Sequence, residues 1–215
     1  MTTSYYPIFI DLHGRRCIVV GAGRVAVRKV RSLIEAGARV EVVSPEADAQ
    51  IKAWAAEGKI TWHEKKFQPR DLDGFFLVFG ATGDRKTNRR IYRAAEQRGL
   101  MVNIVDDPEL CNLYLPAVVQ RGGFQIAIST GGASPLLARR VREELEKRFG
   151  PAFGELVAEM ADLRSWLYKK VSDADKRRAF WEDFVDLEFF YSLEGGDIAE
   201  QLEERAKKCL SRLED

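Results

Sequence analysis

Over residues 1–105 the chain alternates short, continuous aliphatic runs with stretches of helical period, and few architectures accept that rhythm. Arg16-Cys17-Ile18-Val19-Val20, Val40-Glu41-Val42-Val43, Ile60-Thr61-Trp62-His63, Phe75 to Phe79 and Val102-Asn103-Ile104-Val105 are predicted strands. Between them, residues 25–36, 46–57 and 84–98 read as helices stopped by Gly37, Gly58 and Gly99. Strands apolar along their whole length are buried on both faces, and intervening helices supply the cover. The sheet is therefore expected to be parallel.

The rhythm changes after Asp106. Residues 114–120 and 124–129 are strand-like and joined by Arg121-Gly122-Gly123, a hairpin signal. Ser134 and Pro135 suit the cap and first position of a helix over 136–149. Past Gly150-Pro151, helices are predicted over 152–170, 174–192 and 197–213, with breaks at Ser172-Asp173 and Gly195-Gly196. The expected class is α/β: a Rossmann-like parallel sheet over 1–113, a β-hairpin and helix segment over 114–150, and an all-helical region over 151–215. Trp166, Tyr168, Phe180, Trp181, Phe184, Phe189, Phe190 and Tyr191 are spaced as helix core or as a dimer seam.

With 46% apolar and 31% charged residues over 215 positions, the chain can bury a core. A disordered chain, a collagen-like repeat and a disulfide-stapled mini-protein are excluded. No run of 18 apolar residues occurs and Met1 to Tyr6 lack a signal-peptide layout, so no membrane partner is expected. Cys17, Cys111 and Cys209 are scattered and odd in number, which predicts reduced thiols in a cytoplasmic protein. His13 and His63 have no partner at ligand spacing, so no metal site is expected. The net charge of +1 points to no nucleic-acid partner, yet it hides an asymmetry. Residues 1–150 hold 24 of the 34 basic side chains and 17 of the 33 acidic ones, leaving 10 and 16 for residues 151–215.

Gly21-Ala22-Gly23-Arg24-Val25-Ala26 lies between the first strand and the first helix, a G-x-G-x-x-A form of the dinucleotide fingerprint. Glycines there permit a tight turn and let backbone N–H groups approach a pyrophosphate, which the helix N-terminus stabilises. On this reading a β-branched residue at Gly21 puts a Cβ where the pyrophosphate belongs. The acidic ribose reader usual at the end of the second strand is missing. Val43-Ser44-Pro45-Glu46 stands there, and Glu46 either reaches the ribose or opens a helix. No arginine cluster is present for a 2′-phosphate, which favours NAD over NADP. Gly80-Ala81-Thr82-Gly83-Asp84 follows the fourth strand on the same edge; Ala81 and Thr82 would line the cofactor cleft, and Asp84 is read as a helix cap.

Val105 to Asn112 leaves the carboxyl end of the fifth strand, the edge at which open α/β sheets bind ligands. A carboxylate there, beside a nicotinamide ring, can act as general base or hold a cationic nitrogen. The alternative is an Asp-Pro turn in which Asp107 satisfies backbone amides. Asp106 is the candidate for chemistry, and Asn103 is read as structural. Ser129 to Ser134 joins a strand to a capped helix and offers N–H groups and hydroxyls, with Arg139, Arg140 and Arg142 following. It is either a carboxylate-binding spot or a capped connection below a solvated basic face.

Together these segments resemble the precorrin-2 dehydrogenase family, which includes the N-terminal module of siroheme synthase. The resemblance rests on Tyr6-Pro7-Ile8-Phe9, Val19 to Lys29, Ala36-Gly37-Ala38, Ala81-Thr82, Asn103 to Pro108 and Ser129 to Pro135, in that order. It implies NAD-dependent oxidation of precorrin-2 to sirohydrochlorin on the route to siroheme, with Asp106 as the catalytic carboxylate. In many members it also implies ferrochelation, with Fe2+ as substrate and the same aspartate involved. Gly21, Gly23, Arg24, Val25, Pro45 and Glu46 would contact the adenosine side of NAD. Asn112, Thr130, Gly131 and Ser134 are the expected substrate contacts, and residues 114–150 the expected dimerisation segment of a homodimer. The chain departs from the family at Thr130, where serine is common. It also ends at residue 215, without room for the methyltransferase domain of the fused enzymes, so a separate enzyme is expected to make precorrin-2. That substrate is a polycarboxylate, which the basic part of the chain would steer. Two other readings stay open: a dehydrogenase served by a separate chelatase, and a non-enzymatic NAD-sensing module, against which the Asp106 loop weighs.

Overall fold

The aliphatic runs pair in parallel, as their composition demands. A computed structural model describes residues 5–193 and 197–212 of the chain. β1 (Arg16–Val20), β2 (Arg39–Val43), β3 (Thr61–His63), β4 (Leu77–Gly80) and β5 (Met101–Ile104) form one parallel sheet in the order β3-β2-β1-β4-β5. The order reverses between β1 and β4, so the ligand crevice of an open α/β sheet lies above these two strands. Val20 is in register with Val43 and Gly80, and Gly80 with Ile104, which brings four carboxyl ends to one edge.

Alternate residues of each strand feed separate cores. Cys17 and Val19 of β1 pack with Ala26, Val30 and Leu33 of α1 (Arg24–Glu35) and with Ile51 and Trp54 of α2 (Ala49–Ala56). Ile18 and Val20 point the other way, where Ile91, Ala94 and Ala95 of α3 (Arg85–Glu96) cover Val78, Val102 and Ile104. Each fully buried Val, Leu or Ile stabilises the unit by about 1.5–3 kcal/mol. α2 starts at Ala49 rather than at 46, because the Asp48 carboxylate accepts the Gln50 N–H at 2.9 Å and sets the cap there. β4 begins only at Leu77, after a 3-10 turn over Pro69–Leu72. Asp84 caps α3: the Thr87 hydroxyl, with the Lys86 and Thr87 N–H groups, holds its carboxyl below the usual range.

These elements form one compact unit, Tyr6–Leu115, and a second unit begins at Pro116. In the second, β6 (Ala117–Arg121) and β7 (Phe124–Ile128) pair antiparallel across Gly122, which takes a φ of 53°. β6 starts later than 114, since Pro116 has no N–H to donate to a ladder. The Ser134 hydroxyl accepts the Leu137 N–H at 3.1 Å and caps α4 (Pro135–Arg148). α5 (Ala152–Lys170), α6 (Ala174–Phe184), α7 (Leu187–Tyr191) and α8 (Ile198–Ser211) follow. The single helix predicted over 174–192 is two helices, because Asp186 accepts from the Glu188 and Phe189 N–H groups and starts α7. The predicted break at Gly195-Gly196 lies outside the described residues. Phe180, Phe184 and Phe190 are buried with Phe153, Leu156 and Leu202, Phe180 stacking on Phe184 at 5.4 Å. Trp166 and Tyr168 are exposed instead of joining that core. Among the described residues no helix is long and apolar enough to cross a membrane.

Candidate active site

Above the β1–β4 switch point lies a cleft of about 830 Å³ whose lining includes Gly21, Gly23, Pro45, Glu46, Ala81 and Thr82. Three separate turns contribute these residues. The two glycines serve different ends. Gly21 takes a φ of 104°, and a Cβ on it would run into the Ala81 backbone. A Cβ on Gly23 would meet nothing within 4 Å. The expectation that a side chain at Gly21 would intrude on the pyrophosphate is therefore corrected: Gly21 is required by the contact of two turns, and Gly23 faces the open space.

Arg24 and Val25 open α1, whose N-terminus has no side-chain cap and no acidic residue in its first turn. Unpaired first-turn N–H groups at the positive end of a helix suit an anion. The residues thus fit a dinucleotide pyrophosphate. The Thr82 hydroxyl donates to Asn88 Oδ1 at 2.7 Å, so it braces the turn and leaves backbone to line the cleft. Glu46 precedes α2 and lies on the cleft wall, which removes the helix-opening alternative. Lys66 and Arg90 line the same cleft, bringing two cations where sequence reasoning found no cluster. No spacing rule connects either of them to Glu46.

β5 is an edge strand, and the loop after it folds back along the unpaired side. Asn112 Oδ1 accepts the Val102 N–H at 2.7 Å, and its Nδ2 donates to Glu96 Oε1 at 2.7 Å and to the Leu100 carbonyl at 2.9 Å. Cys111 Sγ accepts the Ile104 N–H at 3.2 Å; burial pushes its thiol up, so it stays protonated. Asn103 Nδ2 donates to the Leu113 carbonyl at 2.9 Å. Asn112 is therefore committed to the sheet edge, which corrects its assignment as a substrate contact. Asp107 accepts from Arg85 Nε at 3.0 Å and ties the loop to α3.

That reversal puts Asp106 at a φ of 59°, alone among the described non-glycine residues in having a positive value. Such a conformation costs about 1–3 kcal/mol and persists only where neighbours impose it. Here the Val105 N–H donates to the Gly80 carbonyl at 2.9 Å, holding the loop against β4. Asp106 itself is exposed. On the α1 side, the Lys29 ammonium stands 5.7 Å from the centre of the Phe79 ring. Burial holds the Lys29 pKa below the usual lysine value, the Arg28 charge adds to that, and Asp106 opposes it.

Thr130, Gly131 and Ser134 belong to the second unit. Thr130 Oγ1 donates to the Ser134 carbonyl and accepts the Ser134 N–H, both at 3.1 Å, a closure that needs a hydroxyl and is open to serine as well. Arg139 and Arg140 pair with Glu143, and Arg142 with Glu146, so the basic face of α4 is largely neutralised.

Three family models match in succession: putative NAD(P)-binding over residues 8–117, sirohaem biosynthesis protein central over 121–148, and sirohaem synthase dimerisation region over 152–207. The chain belongs to the precorrin-2 dehydrogenase and siroheme synthase family. Siroheme synthase of Nitrosococcus oceani is 39% identical over 211 residues, which is 96% of this chain and 43% of that protein. Siroheme synthase of Methylococcus capsulatus is 42% identical over 179 residues, 83% of this chain and 38% of that protein. The chain thus spans less than half the length of these relatives. The solved structure of SirC, precorrin-2 dehydrogenase, matches with a TM-score of 0.80 at 27% identity, covering 98% of this chain and 99% of that one.

Two expectations follow for this family member. Gly23→Val keeps its stability and lowers NAD affinity by about 100-fold, roughly 2.7 kcal/mol, whereas Gly21→Val loses about 3 kcal/mol or more of stability. Calorimetric titration with NAD and thermal melting separate the two, and equal effects on both readouts would contradict the division of roles. Asn112→Ala strands the buried Val102 N–H, and denaturant unfolding should show a loss of about 1–3 kcal/mol.

Proposed function

We propose that the chain oxidises precorrin-2 to sirohydrochlorin with NAD in siroheme biosynthesis. The observation that carries this reading is Asp106, held at a φ of 59° at the carboxyl end of β5, one strand over from the dinucleotide cleft. The chain-long likeness to SirC and the siroheme synthase relatives support the same substrate. NAD bound in the cleft would accept a hydride. Gly23 and the N-terminus of α1 would hold its pyrophosphate, and Glu46 would face its ribose. Two hydrogens leave the substrate, one as hydride and one as proton, and Asp106 takes the proton. Asp107, paired with Arg85, is less free to do so. Glu46 repels a 2′-phosphate while Lys66 and Arg90 attract one; NAD is assigned because Glu46 lies on the turn that ends β2, where ribose hydroxyls are read.

A homodimer is assigned through the hairpin and α4. Leu136 and Leu137 are 63% and 54% exposed, with Val141 and Val118 exposed beside them in sequence or on β6. Apolar surface of this kind marks an interface. The dimerisation-region model matches residues 152–207 rather than 114–150, so it supports a homodimer, while the hairpin and α4 as its seam rest on these exposed side chains. The three unpaired cysteines suit a reducing, cytoplasmic setting. Chelation of Fe2+ would use the same carboxylate to take the pyrrole protons. Sirohydrochlorin and ferrous iron without NAD test it: no rate above the uncatalysed one assigns chelation to a separate enzyme.

Asp106→Asn tests the main assignment better than alanine, because asparagine tolerates the left-handed conformation. Turnover of precorrin-2 should fall by about 10²–10⁴-fold with fold and NAD affinity kept. Near-normal oxidation by that variant refutes the assignment. Leu137→Asp should convert the dimer to monomer in sedimentation velocity, and an unchanged dimer places the interface elsewhere.

A further inference from the structure

We infer that Lys29 is an anion-binding residue of this site, receiving a carboxylate of the tetrapyrrole beside Asp106. The inference rests on the substrate proposed above. Lys29 lies in the second turn of α1, and helical side chains lean toward the helix N-terminus, here toward the carboxyl edge of the sheet. Its ammonium lies against Phe79 of β4, which is in register with Asn103 of β5, three residues before Asp106. It is close enough to Asp106 to be influenced by that charge, yet it closes no ion pair within 4 Å among the described residues.

Two other lysine and arginine side chains of the same unit do close ion pairs: Lys65 meets Asp71 at 2.6 Å and Arg98 meets Asp73 at 2.8 Å. A half-buried ammonium left without a close counter-ion is costly, and an incoming carboxylate would remove that cost. The charges acting on it are Arg28 from its own helix and Asp106 from the loop after β5. β4 presents only the Phe79 ring, and the Cys17 thiol of β1 in the same core stays neutral, burial pushing it up to about 11. A carboxylate held by Lys29 would fix the macrocycle so that a ring carbon faces Asp106.

The sign of the pH effect follows. Binding needs the ammonium, and a lysine whose pKa is lowered loses it earlier as pH rises, so affinity should fall on the alkaline side. Arginine keeps its charge there and should abolish that fall.

The test titrates the purified chain with sirohydrochlorin, followed by absorbance, for wild type, Lys29→Met and Lys29→Arg. Methionine keeps an apolar stem over Phe79, so a packing role alone would leave affinity unchanged. The expected result is about 10-fold or more weaker binding for Lys29→Met, near wild-type binding for Lys29→Arg without the alkaline fall, and unchanged NAD affinity in both. Equal binding by wild type and Lys29→Met overturns the role of Lys29 alone. If Lys29→Met fails to bind NAD, Lys29→Arg decides, and an alkaline fall identical to wild type overturns the inference. Absence of sirohydrochlorin binding by wild type overturns the tetrapyrrole reading and this inference with it.

Discussion

The contact between the turn after β1 and the turn after β4 is the constraint on which the site depends. Parallel pairing sets Val20 beside Gly80, and the next residues, Gly21 and Ala81, meet backbone to backbone. Only a residue without Cβ, free to take a φ of 104°, closes that approach. The consequence is a cleft with backbone walls and the uncapped N-terminus of α1 at its mouth. Gly80 is less constrained, since a Cβ there would collide only with the end of the Ile104 side chain of β5.

The second constraint is the free edge of β5. An unpaired strand edge must be covered, and here Asn112 and Cys111 cover it with a side-chain oxygen and a sulfur in place of another strand. Folding the loop back requires a sharp reversal, and Asp106 occupies it. The candidate base is therefore placed by the same hydrogen bonds that finish the sheet. A polar loop that satisfies a structural need thus also presents a carboxylate at the ligand edge.

Charge acts on a finer scale than the contrast between the basic first part of the chain and the acidic tail. Arg139, Arg140 and Arg142 are answered by Glu143 and Glu146 on the same helix, so their contribution to steering is small. Lys66 and Arg90 line the nucleotide cleft, and Lys29 lies near Asp106 without a close ion pair among the described residues. Cations left without partners, rather than the net count, mark where anions are expected.

Local signals made much of the fold legible. The aliphatic runs declared buried parallel strands because their side chains alternate between two cores, and Asp84 and Ser134 declared helix starts because a cap bonds within three residues of itself. The Gly21–Ala26 turn was readable for the same reason. Two local caps were missed: Asp48, which delays the start of α2, and Asp186, which divides an aromatic-rich stretch whose period is continuous. Tertiary structure alone decided the rest. The close approach of Gly21 to Ala81, the bond from Val102 to Asn112, the arrival of Lys66 and Arg90 in one cleft, and the placing of Lys29 against Phe79 all join residues ten or more positions apart in the chain. Periodicity and capping act over one or two turns, whereas these contacts exist only once the sheet has set its register.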